Sequence, residues 1–97
     1  MEQKINLTIP EEQKLGRFVN LVFINHSADM FTVDMVYVQG ALSNTHIQEA
    51  VTISRSHITP GHAKRLVAAL QKNIDGYEER FGKIDPGTPV VILPNAN

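Results

Sequence analysis

The residues best equipped for chemistry gather near the middle of the chain: Arg55, His57, His62, Lys64 and Arg65, the one local concentration of basic groups. They flank the start of a helix signalled from residue 60, and backbone N–H groups at a helix start favour anions. A phosphate, a carboxylate or a partner's acidic side chain would suit this corner. Pro60 removes one donor, and no glycine-rich loop precedes the helix, so the cluster also reads as an ordinary solvated surface.

Metal ligation has less to stand on. His26, His46, His57 and His62 are the only histidines, and none forms a helical pair with a glutamate between. With no cysteine in the chain, a zinc ion would need histidines and carboxylates alone, and a thiolate nucleophile and a disulfide framework are both excluded. No metal or cofactor is implied.

Asp34 lies in the middle of a run that otherwise reads as buried. A buried carboxylate must be paired or hydrogen-bonded, or else protonated. Asn20, Ser27, Arg17 and Arg55 are its candidate partners. A polar network built on Asn20 and Asp34 to fix strand pairing is the preferred reading, since a lone carboxylate without a base or nucleophile makes no mechanism. The chain is expected not to be an enzyme.

The elements that position these residues follow from periodicity. Ala63, Leu66, Val67, Leu70, Ile74, Tyr77 and Phe81 recur at three- and four-residue steps, which predicts one amphipathic helix over residues 60–81. Thr59 suits its N-cap, Pro60 its first turn and Gly82 its C-terminal cap. Gly76 inside it is either a surface glycine or a point where another backbone approaches. Before the helix the period is two. Ile5, Leu7 and Ile9 predict a short edge strand, residues 17–26 and 30–39 a hairpin turning at residues 26–29, and Ile47, Val51 and Ile53 a fourth strand with one apolar face. A loop at residues 41–45 joins the third strand to the fourth.

This order predicts an α+β fold: an antiparallel, meander-like sheet of about four strands, followed by one long C-terminal helix packed on one face. Residues 1–84 form the single domain. Residues 85–97 form a tail in which the β-prone run Val-Val-Ile-Leu at 90–93 docks as a possible extra strand, on a sheet edge of its own or a neighbouring subunit.

The two central runs carry a conflict. One alternate set in the first is Val19, Leu21 and Phe23, the other Phe18, Val22 and Ile24; the second offers Phe31, Val33, Met35 and Tyr37 against Val36 and Val38. A one-residue slip in pairing would regroup them, yet neither face becomes polar. One helix covers one face. The other needs a second copy of the chain, most simply in a two-fold dimer, with Val19, Leu21, Phe23, Val36 and Val38 as candidate interface residues. The competing reading is that the N-terminal strand or the tail folds over that face.

A set of residues resembles a known family: Asn20, His26, Ser27, Phe31 and Asp34, then Ile58-Thr-Pro-Gly-His-Ala-Lys-Arg-Leu66, Leu70, Asn73, Ile74, Tyr77, Glu78, Phe81, Gly82, Lys83 and Ile84. The stretch from about residue 15 to residue 84 is similar to the small bacterial and archaeal proteins catalogued as domain of unknown function 3467. The chain departs from their pattern at Gln39-Gly40, where proline often adjoins the glycine. The resemblance implies the fold and order of elements and transfers no catalytic residue.

Charge and composition bound the function. A formal net charge of -1 gives no general pull toward nucleic acid or anionic lipid. No apolar run approaches the roughly 20 residues that span a bilayer, and the first residues lack a basic start followed by an apolar core, so the expected setting is the cytoplasm. The leading expectation is a small oligomeric protein-binding or scaffold module without catalytic activity. A nucleic-acid-binding module, stacking bases on Phe18, Phe23, Phe31 or Tyr37 or using the basic helix start, is one alternative. A chaperone-like apolar groove is another, by analogy of fold alone. The helix opposes its own dipole, with Lys64 and Arg65 early and Asp75, Glu78 and Glu79 late, although Arg80 and Lys83 restore positive charge at its end. An antiparallel partner helix would suit that pattern.

Overall fold

The structure, a computed structural model, describes residues 2–40 and 46–93. Three strands, β1 (Leu21–His26), β2 (Phe31–Val38) and β3 (Ala50–Ile58), form one antiparallel sheet in the order β1-β2-β3, and helix α1 (Pro60–Phe81) follows. The α+β class and the meander stand as expected. The sheet has three strands among the described residues, one fewer than the periodicity suggested.

The missing strand is at the N-terminus. Ile5, Leu7 and Ile9 alternate with polar neighbours, but residues 2–10 pair with no strand, and a single turn of 3₁₀ helix follows at Glu11–Gln13. Alternation makes a segment two-faced; a strand also needs an edge to accept its backbone bonds. Nor are residues 90–93 a strand. The predicted loop at residues 41–45 lies outside the described residues.

The hairpin turns through Ser27, Ala28, Asp29 and Met30, closed by the Ser27 N–H donating to the Met30 carbonyl at 2.9 Å. The Ser27 hydroxyl also accepts from the N–H groups of Asp29 and Met30, at 3.3 and 3.4 Å. Leu21 then stands opposite Val36 and Phe23 opposite Asp34, while Val22 faces Met35 and Ile24 faces Val33. The register left open by the sequence is settled: Leu21, Phe23, Asp34, Val36 and Val38 share one face, and Val22, Ile24, Val33, Met35 and Tyr37 the other.

On β3 the regular alternation breaks. Met35 pairs with Ser54 and Val36 with Thr52, so Ile53 is an extra residue in a β-bulge. Thr52 and Ser54, which unbroken alternation would put on one face, therefore lie on opposite faces. Beyond the bulge Arg55 stands opposite Asp34 and His57 opposite Thr32.

Helix α1 is bounded as its punctuation predicts. The Thr59 hydroxyl accepts from the His62 N–H at 3.2 Å, Pro60 opens the first turn, and Gly82 at φ +99° donates its N–H to the Glu78 carbonyl at 2.9 Å. How the helix sits on the sheet differs from a simple lid. None of its 22 residues is buried, half-burial is reached only at Ala63, Ile74 and Glu78, and the strands contact one another far more than any of them touches the helix. Only Thr59 separates the end of β3 from the start of α1, less than the two to six residues that usually let a helix turn back over its sheet.

The core is accordingly narrow. Among the described residues Val33, Val36 and Val38 are its buried apolar members, all on the central strand. The chain exposes 9245 Å², where a folded monomer of this mass exposes about 5,500 Å². Its radius of gyration is 16.1 Å, against about 12.5 Å for a closed domain of this length.

Candidate functional site

Across the middle of the sheet runs a row set by the two registers: Phe23 on β1, Asp34 on β2, Arg55 on β3. Asp34 is 3% exposed. Arg55 Nε donates to Oδ1 at 2.7 Å and Nη2 to Oδ2 at 2.9 Å, a two-pronged pair whose planar geometries match. The hydrogen bonds from Arg55 hold the Asp34 carboxyl below its usual range; burial opposes this, and the charges of Arg55 and His57 reinforce it. Asp34 raises the pKa of Arg55 in turn. The carboxylate is thus satisfied on both oxygens, which makes it a poor general base.

Beside that row lies a second. His57 Nδ1 is 3.1 Å from the Thr32 hydroxyl, directly across β2 and β3. The two rows share a face with Leu21, Phe23, Val36 and Val38, and the tail, residues 86–93, borders the same cleft as those four and the Asp34–Arg55 pair. Sheet face and tail, together with residues 46–50, border an open cleft of about 1240 Å³. One wall is mixed, with Asp34 and Arg55 among valines; the tail wall is mainly Pro89, Val90, Val91, Ile92 and Leu93.

Of the candidate interface residues, Val36 and Val38 are 7% and 4% exposed and Val19, Leu21 and Phe23 are half-buried. The chain's own tail borders the cleft on this face. Apolar side chains left more open include Val22, Ile24 and Met35 on the opposite face, Leu66, Val67, Leu70, Tyr77 and Phe81 along α1, and Val91 and Leu93 in the tail.

The basic corner does not hold together as one site. Arg55 is committed to Asp34 and His57 to Thr32 on the cleft face. Lys64 and Arg65 are exposed on the helix, where Arg65 borders a shallow hollow with Glu2, Gln3, Lys4 and Ile5. His62 serves the N-cap through its backbone. His26 stacks on Phe31 with ring centroids 5.4 Å apart, and among the described residues no three of histidine, aspartate and glutamate converge as metal ligands would.

Asn20 and Asp34 serve different partners. The Asn20 side chain donates from Nδ2 to the Val38 carbonyl and accepts at Oδ1 from the Val38 N–H, both at 2.8 Å. Its own N–H donates to the Val36 carbonyl at 3.2 Å. A side-chain amide here stands in for a peptide group and carries the β1-β2 ladder one step past Leu21. Nothing in the periodicity of β1 points to that role; the signal is an asparagine at the mouth of a strand whose neighbour continues.

Among the described residues no helix is long and apolar enough to cross a membrane. No curated protein and no solved structure matches this chain. The family described as Protein of unknown function (DUF3467) matches residues 1–86, taking in the N-terminal segment ahead of the motif-bearing stretch as well as sheet and helix. The ladder, the capped helix and the Asp34–Arg55 pair all lie inside that match, and the chain belongs to this family.

Proposed function

We propose that this chain is a self-associating protein-binding or scaffold module, in its simplest form a two-fold homodimer, with no catalytic chemistry of its own. One observation carries the reading: the apolar stripe of α1 is uncovered, with Val67, Leu70, Tyr77 and Phe81 each more than half exposed. At about 25 cal/mol per Å² of apolar surface, leaving such a stripe in water forfeits several kcal/mol, most of what holds a small domain folded. The excess of about 3,700 Å² per chain over a closed monomer of this mass points the same way.

The polar groups favour binding over catalysis. The buried acid is neutralised by its own arginine, and the histidine beside it is engaged by a threonine. Light scattering on the full chain, across a hundredfold range of concentration, tests the reading. A mass of two chains or a small multiple is expected; a monomer throughout, with α1 still helical, would overturn it.

A further inference from the structure

The exposed stripe of α1 has a finer pattern than amphipathicity. Ala63, Val67, Leu70, Ile74, Tyr77 and Phe81 follow one another at steps of four, three, four, three and four, the seam of a coiled coil. Of these six, Val67, Leu70, Tyr77 and Phe81 are 68%, 58%, 52% and 66% exposed. We infer that α1 packs antiparallel against α1 of a second copy of this chain, in a register that sets Ala63 against Phe81, Val67 against Tyr77 and Leu70 against Ile74, with Lys64 beside Glu78 at both ends. The inference rests on the self-association proposed above and specifies its surface and direction.

Side-chain size and charge both support this choice. In the antiparallel register the smallest seam residue, Ala63, meets Phe81, which already lies against Tyr77 with ring centroids 5.0 Å apart; large opposite small is how facing layers interdigitate. The positions flanking the seam are Lys64, Gln71 and Glu78 on one side and Leu66, Asn73 and Arg80 on the other. In an antiparallel pair each flank meets its own kind. Lys64 of one copy then reaches Glu78 of the other twice over, and Gln71 meets Gln71 near the two-fold axis.

A parallel pair would set Asn73 against Glu78 and Leu66 against Gln71, with no opposite charges brought together. The charge order that opposes the dipole within one helix is thus favourable between two. Glu78 keeps an oxygen for this contact, since Oε2 accepts from the Ile84 N–H at 2.8 Å and Oε1 has no partner among the described residues. Arg80 does not compete: it lies on the other flank, its guanidinium 5.3 Å from the centre of the Phe81 ring.

The test is a charge-exchange cycle on the full chain, with Lys64→Glu, Glu78→Lys and the double variant compared by sedimentation equilibrium, and helicity followed by circular dichroism. Each single reversal turns two attractive contacts into repulsive ones and is expected to weaken the dimer about tenfold. The double variant is expected to return to within about threefold of the parent, a coupling that separates the pair from the Ile84 bond lost in Glu78→Lys. A parent dimer whose single variants are unchanged, or whose double variant is no tighter than the singles, would overturn the helix pairing or its direction while leaving self-association standing. A monomeric parent would overturn both.

Discussion

Asp34 and Arg55 sit directly opposite one another on β2 and β3, with both carboxylate oxygens taken by the guanidinium at 2.7 and 2.9 Å. Asp34 is buried while the Arg55 side chain remains 59% exposed, so the arginine closes the carboxylate off from water. The pair ties the central strand to β3 where the regular ladder has just been interrupted.

Acid should undo this tie. The folded-state pKa of Asp34 lies below its ordinary value of 3.8, so the pair's contribution is fully present above that value and is lost as the pH falls through the folded value. Urea midpoints between pH 7 and pH 2.5 are expected to fall more steeply at the acid end for the parent than for Asp34→Asn, which has no proton to gain. Parallel curves would show that the pair is not linked to folding.

Asn20→Ala is expected to destabilise the fold by about 1–3 kcal/mol, because it removes two hydrogen bonds and strands the backbone groups of the buried Val38. Chemical unfolding at a fixed protein concentration reads this. Asn20→Asp should be damaging as well, as a carboxylate has no donor for the Val38 carbonyl.

Two changes in α1 should act in opposite directions. Thr59→Ala removes the cap on the His62 N–H and should cost about 1 kcal/mol. Gly76→Ala should gain roughly 0.5–1 kcal/mol, since Gly76 has no positive φ and an added Cβ meets nothing within 4 Å. Thermal unfolding distinguishes them. Loss of stability in Gly76→Ala would mean that another chain's backbone approaches there.

If folding and association are linked, the melting temperature of the parent should rise with protein concentration. Leu70→Asp, which puts a charge at the centre of the exposed stripe, should abolish that rise along with the dimer. Calorimetry over a hundredfold concentration range checks both.

The helix was legible because its limits are written in residues with special backbone demands: Thr59 and Pro60 at one end, Gly82 at the other. The central hairpin was legible as two adjacent β-prone runs. Its register was not, because Val22 and Phe23 are equally fit for burial and the pairing choice depends on turn geometry and on the Asn20 and Asp34 contacts. Arg55 was one of several plausible partners for Asp34, and only the fold selects it. Ile5, Leu7 and Ile9 misled for a different reason: their alternation describes side chains, whereas a strand is made by backbone bonds to a neighbour. The basic cluster dispersed because sequence proximity across a strand–helix junction does not survive the change of direction there.

Past the bulge at Ile53, the match of Asp34 with Arg55 bears on register. Were β3 to zip onto β2 a single residue out of step, Ser54 or Ser56 would replace Arg55 opposite Asp34, stranding a carboxylate among valines without its counter-ion. A slipped sheet would carry that penalty, so a single acid with its arginine disfavours an error that the valines of the central strand alone would tolerate.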